Sequence, residues 1–118
     1  MKRYILFAAF ILFIPLSLPA GERHDFIRSQ KSFIRELYSE HRYFDAIAEA
    51  GRLKVYRDTP ELDYFVLLNY YLAGQYRTAI RLSPANTGDK AAPADFIRAM
   101  SYLKLEKYNE SSEALEAF

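Results

Sequence analysis

The 118-residue chain contains no cysteine and no tryptophan, only four glycines and five prolines, and no excess of charge of either sign. The absence of cysteine excludes disulfides, thiolate metal sites, a cysteine nucleophile and a lipid-attachment cysteine. With 16 basic against 15 acidic residues, the formal charge of +1 does not provide the basic surface that nucleic-acid binding usually needs. We therefore expect no nucleic-acid partner. The length corresponds to about one small domain.

The chain also lacks the short motifs of common catalytic sites. It contains no Gly-x-x-x-x-Gly-Lys, no Gly-x-Ser-x-Gly, no His-Glu-x-x-His and no acidic calcium-loop spacing. Its only two histidines, His24 and His41, have no second ligand at helical spacing. Glu36 and Glu40 lie four residues apart among cationic residues, which favours surface ion pairs over a pair of catalytic carboxylates. We expect a non-catalytic protein with no metal and no cofactor.

The longest apolar run is too short to predict a membrane-spanning helix. A basic start, Met1-Lys2-Arg3, precedes about fifteen mostly apolar residues at 4–18, against the roughly twenty that a bilayer requires. This order predicts a secretory signal peptide over residues 1–20, cleaved after Ala20, and therefore export to the periplasm or cell envelope. The alternative is an uncleaved signal anchor in the inner membrane, the one case in which we expect membrane contact.

The remainder, 21–118, repeats itself with the period of a helical hairpin. Three similar strings, at 40–47, 73–80 and 105–112, align with their tyrosines 33 and then 32 residues apart. A small residue follows each tyrosine by three positions. The tyrosine and small-residue pairs are Tyr43 and Ala46, Tyr76 and Ala79, and Tyr108 and Ser111.

Each repeat is predicted to contain two helices. Apolar residues recur at helical spacing before each tyrosine, and units near 25–58, 59–92 and 93–118 result. Thr59-Pro60 supplies a capping hydroxyl followed by proline at the first helical position, and Pro93 is expected to start a helix in the same way. The second helix of the first unit should run from Tyr43 to about Tyr56, whereas that of the second unit should be cut short by Pro84.

In the turn string Gly74-Gln75-Tyr76-Arg77-Thr78-Ala79, the chain resembles the tetratricopeptide repeat family. The resemblance implies an all-α fold of helix-turn-helix repeats, an α-solenoid of about three units. It further implies that the first helices line a groove, with a basic end leading to an aromatic floor. The predicted groove residues are Arg28, Lys31, Arg35, Tyr38, Tyr64, Leu68, Tyr71, Phe96 and Met100.

Such a groove suits an extended or helical peptide, because its cations can meet carboxylates while its rings bury apolar side chains. Alternatively, Tyr64, Leu68 and Tyr71 only pack between adjacent units. The leading hypothesis is an exported, non-catalytic scaffold or adaptor that binds a protein or peptide segment. The alternative is that the chain is a fragment, the N-terminal repeat region of a larger exported or cell-envelope enzyme.

The last predicted helix has an apolar face with no following element to cover it. Leu115 and Phe118 lie on this face, and repeat arrays normally end in a polar helix. Besides the fragment, two explanations remain open, docking on a partner and self-association with a second copy through this helix.

Overall fold

A computed structural model describes residues 20–118, and within this range it is all-helical, as the sequence predicts. The predicted signal segment lies outside the described residues, apart from Ala20. The six α-helices of this range are α1 (Ala20–Ser39), α2 (Tyr43–Tyr56), α3 (Pro60–Leu72), α4 (Tyr76–Leu82), α5 (Ala91–Lys104) and α6 (Tyr108–Ala117).

The start of α3 confirms the capping signal. The Thr59 side-chain oxygen accepts a hydrogen bond from the Leu62 backbone N–H at 3.3 Å, and Pro60 occupies the first helical position. Proline suits this position because its missing N–H would have no partner within the helix in any case. The end of α2 at Tyr56 also agrees with the prediction.

The start of α5 differs from the prediction. The helix begins at Ala91, so Pro93 is its third residue rather than its first. Two short 3₁₀ turns, Ser83–Ala85 and Gly88–Lys90, fill the connection before it. A proline anywhere in the first helical turn disturbs no intrahelical hydrogen bond, and so Pro93 indicated the helix without marking its first residue.

The three turns between paired helices share one backbone geometry. In each turn one residue has a positive φ, 62° at His41, 81° at Gly74 and 59° at Glu106. The next residue's N–H then donates to a carbonyl five residues back, always at 2.9 Å, as in a Schellman-type helix ending. These bonds are Arg42 to Leu37, Gln75 to Tyr70, and Lys107 to Tyr102. A left-handed conformation costs a non-glycine residue roughly 1 kcal/mol. The turn geometry therefore lowers stability by about this amount at His41 and at Glu106.

Helices that follow one another along the chain pack against each other, and α3 also contacts α5. Within residues 20–118 the buried core forms two clusters. The first, between α1, α2 and the start of α3, consists of Ile27, Phe33, Ile34, Leu37, Ala46, Ala50, Leu53 and Leu62. The second, between α3, α4 and α5, consists of Leu67, Ala79, Ala94 and Ile97.

The small residue that follows each turn is buried. Ala46 and Ala79 have no exposed surface, and Ser111 is nearly as buried. Ser111 satisfies its hydroxyl by donating to the Ala99 carbonyl at 2.9 Å. A small side chain at this position lets the second helix of each pair lie close to the first, and serine is accepted because its polar atom has a partner.

An ion pair between Lys54 and Asp63 joins α2 to α3, with 3.0 Å between Nζ and Oδ1. The hydrogen bond and charge of Asp63 raise the pKa of Lys54 above its usual 10.5. Because the pKa is raised in the folded state, the stabilisation is fully present below the unfolded pKa and is lost as pH rises through the folded one.

We expect Asp63→Asn to return the pKa of Lys54 toward its ordinary value, as measured by NMR titration of the lysine side chain. The control is Asp58→Asn, since Asp58 lies 4.0 Å away and contributes less to the shift. An equal effect of the two substitutions would contradict the assignment of Asp63 as the main partner.

Candidate functional site

Three of the predicted groove residues are cations on α1. Arg28, Lys31 and Arg35 recur at intervals of three and four residues and are all exposed, so they share one face of the helix. Lys31 and Arg35 border a cleft beside α3, whereas Arg28 lies outside its lining. The structure therefore places two of these three cations at a concave site.

This basic cleft has a volume of about 340 Å³ and lies between α1, the end of α2, the connection that follows and the first turns of α3. Its apolar side chains belong mainly to the first core cluster, which reaches the surface here. Its volume lies at the lower end of the range for ligand sites. The cleft is lined by Lys31, Ile34, Arg35, Leu53, Arg57, Thr59, Glu61, Leu62 and Phe65.

The charges of the basic cleft are unbalanced. Three cations, Lys31, Arg35 and Arg57, face one carboxylate, Glu61. Within residues 20–118 none of these three cations forms an ion pair. Guanidinium groups bind carboxylates through two parallel hydrogen bonds, so Arg35 and Arg57 are suited to an acidic ligand group.

Three residues of the predicted aromatic floor pack against the core. Tyr64, Leu68 and Tyr71 are half-buried against the second core cluster, which favours the alternative that they pack between units. Burial raises the pKa of the Tyr64 hydroxyl above its usual value. The Lys90 ammonium lies 5.4 Å from the centre of the Tyr64 ring. Tyr71 contacts Tyr76 with ring centres 5.6 Å apart.

The remaining predicted groove residues lie apart from the basic cleft lining. Tyr38 packs beside it on Phe65, with ring centres 5.7 Å apart. Phe96 contacts Phe118 at 5.6 Å, near the other end of the helix order, and Met100 is half-buried on α5. The structure thus brings Lys31 and Arg35 together with Phe65 and does not bring Phe96 or Met100 to the same cleft.

Sequence reasoning missed Arg57, Glu61 and Phe65 as site residues. Arg57 lies in the connection between α2 and α3, and the other two lie on α3. The capping signal at Thr59-Pro60 marked this connection, but helical periodicity does not reveal which side chains of a connection turn toward α1. Only the packing of α3 beside α1 and α2 shows this.

A second cleft, of about 330 Å³, lies at the first turn and is lined by His41, Arg42, Tyr43, Phe44, Asp45 and Ala73. Here the charged groups already have partners. Arg42 pairs with Asp45 at 2.6 Å, and the Tyr43 hydroxyl lies 3.2 Å from His41 Nδ1. Because Arg42 already pairs with Asp45, this cleft is less suited to an ionic ligand than the basic cleft.

No cluster of histidine and carboxylate side chains suited to a metal ion occurs in the part of the chain that the structure describes. Within the same residues, 20–118, none of the helices combines the length and apolar character needed to cross a bilayer. Comparisons with protein-family models, curated proteins and solved structures found no match to the chain.

Proposed function

We propose that the chain is an exported, non-catalytic helical-repeat scaffold of the tetratricopeptide type, which binds an acidic and partly apolar segment of a protein. The binding site is the basic cleft. The observation on which this proposal depends is one cleft that combines apolar side chains with three cations, Lys31, Arg35 and Arg57, which form no ion pair within residues 20–118.

The repeat architecture is supported by the three equivalent turns. Positive-φ residues at 41, 74 and 106 follow the same 33- and 32-residue spacing as the tyrosines and small residues of the sequence pattern. The small residue after each turn is buried between helices. Repeat proteins of this kind form a core by stacking hairpins that could not bury their apolar faces alone.

Binding of an acidic segment is supported by the composition of the basic cleft. Phe65, which is half-buried, and the largely buried Ile34, Leu53 and Leu62 form the apolar floor of the cleft. Lys31 and Arg35 stand at its edge on successive turns of α1. An apolar centre with a charged rim is the usual arrangement of a peptide site, in which the apolar contacts contribute affinity and the charges select the partner.

Export is supported by the basic and apolar order of residues 1–20, which lie outside the described range except for Ala20. N-terminal sequencing of the protein recovered from the periplasm should begin at Gly21.

Charge reversal in the basic cleft tests the binding proposal. We expect Lys31→Glu, Arg35→Glu and Arg57→Glu together to weaken binding of a fluorescein-labelled peptide, composed of alternating Glu and Leu or Phe, by at least about tenfold. The loss follows because three attractive charges become repulsive, and fluorescence anisotropy at low salt measures it. The wild-type affinity should also fall as salt increases.

The matched control reverses three exposed cations away from the cleft, Arg77→Glu, Arg81→Glu and Lys104→Glu, and produces the same change in net charge. This variant should retain most of the peptide binding. Equal loss in both variants would show a general charge effect, and retained binding in the cleft variant would remove the cleft as the site.

A further inference from the structure

The last turns of α6 and the residue that follows them expose an apolar and acidic surface, here called the α6 end, formed by Glu113, Leu115, Glu116 and Phe118. Leu115 is 47% exposed and Phe118 is 59% exposed, although both side chains are large and apolar. The Phe118 ring contacts Phe96, itself 44% exposed, which enlarges the patch. Glu113 and Glu116 lie beside it, and α6 contains three glutamates and no lysine or arginine.

The register of the turns shows that these positions are covered elsewhere in the protein. Leu115 and Phe118 follow the third positive-φ residue by nine and twelve positions. The residues at the same distances from the first two turns are all buried. They are Ala50 and Leu53 after the first turn, and Ser83 and Asn86 after the second. The α6 end is thus a face of the kind that is covered after the first two turns, and here it is uncovered.

The α6 end and the basic cleft are complementary in chemistry. The cleft has an excess of cations and an apolar floor, whereas the α6 end has carboxylates beside Leu115 and Phe118. Within one molecule α6 packs on α5, while the cleft is formed by α1, α2 and α3 at the other end of the helix order. The two surfaces therefore meet only between molecules.

We infer that the basic cleft of one molecule binds the α6 end of a second copy of this chain. Phe118 packs against the apolar side chains of the cleft. Glu113 and Glu116 pair with its cations, Lys31, Arg35 and Arg57. This inference rests on the proposed function, because it uses the same cleft and names its occupant. Because the two contacting surfaces differ, every bound pair leaves one cleft and one α6 end free, and further copies add head to tail.

Sedimentation velocity of the full chain, expressed with its own N-terminal segment, untagged at the C-terminus and purified as the cell processes it, tests the inference. We expect the average mass to rise above that of the monomer with increasing concentration at low salt, and to fall again at high salt. A protein that stays monomeric up to about 100 times the peptide Kd overturns the inference. If that monomer still binds the labelled peptide, the proposed function stands without it.

Two variants separate the two surfaces. Lys31→Glu, Arg35→Glu and Arg57→Glu disable the cleft, and Leu115→Ser with Phe118→Ser disables the α6 end, whose side chains are exposed and whose loss should leave the fold intact. Each variant alone should be monomeric. An equimolar mixture should form a dimer and nothing larger, since it contains only one working pair of surfaces.

Two results would overturn the head-to-tail arrangement. Self-association of the cleft variant at the wild-type level would indicate that α6 ends pair with each other. Absence of a dimer in the mixture would show that the cleft and the α6 end do not meet. As a positive test, Glu113→Lys with Glu116→Lys should restore association, by at least about tenfold, when added to the cleft variant in the same chain.

Discussion

Replacing Ala46 with phenylalanine is expected to lower the free energy of unfolding by about 1–3 kcal/mol, as overpacked cores do. Ala46 has no exposed surface and belongs to the core cluster between α1 and α2. A ring at this position forces the two helices apart or displaces neighbouring side chains. For a domain of this size the loss corresponds to roughly 5–20 °C in Tm.

Ala48→Phe is the matched control, because Ala48 lies on the exposed face of the same helix. It should change Tm by less than about 3 °C, as surface substitutions usually do. Ala79→Phe should behave like Ala46→Phe, since Ala79 occupies the equivalent buried position in the next helix pair. Thermal denaturation followed by circular dichroism measures all three, and an unchanged Tm in either core variant would contradict the repeat register.

Replacing Glu49 with alanine should have an effect of similar size, about 2–3 kcal/mol, by removing a buried charge that has several partners. The Glu49 carboxylate accepts a hydrogen bond from Gln30 Nε2 at 2.8 Å and forms an ion pair with Arg52. The Gln30 amide also donates to the Glu49 backbone carbonyl at 3.3 Å. Together these contacts join α1 to α2, and the alanine variant leaves the buried Gln30 amide without its side-chain acceptor.

Glu49→Gln separates the hydrogen bond from the charge. Its amide oxygen can still accept from Gln30, so only the ion pair with the partly exposed Arg52 is lost, and the cost should stay near 1 kcal/mol. Urea denaturation measures both variants. Equal losses for alanine and glutamine would show that the charge matters and the hydrogen bond does not.

Local signals predicted a large part of the fold. The 33- and 32-residue spacing of Tyr43, Tyr76 and Tyr108 located the turns, and Thr59-Pro60 located the start of α3. These features act over a few residues, because caps, prolines and helical periodicity concern the hydrogen bonds of one helix. The start of α5 was misjudged by two residues because proline fits anywhere in the first turn.

The candidate site was predicted only in part. The spacing of Arg28, Lys31 and Arg35 predicted the basic face of α1. It did not predict that Lys31 and Arg35 border the cleft while Arg28 does not. The burial of Glu49 was equally hidden, since a glutamate in a helix is ordinarily exposed. The position of the cations at the cleft and the burial of Glu49 both depend on which faces of α1, α2 and α3 pack together.

By itself, then, the sequence determined where most helices begin and turn, which small residues lie between paired helices, and that one face of α1 carries Arg28, Lys31 and Arg35. The tertiary structure decided that Lys31, Arg35 and Arg57 form one cleft over a shared apolar floor. The physical reason is that the cleft combines residues from three helices and a connection. Their proximity depends on how α3 packs beside α1 and α2, an arrangement that no local pattern specifies.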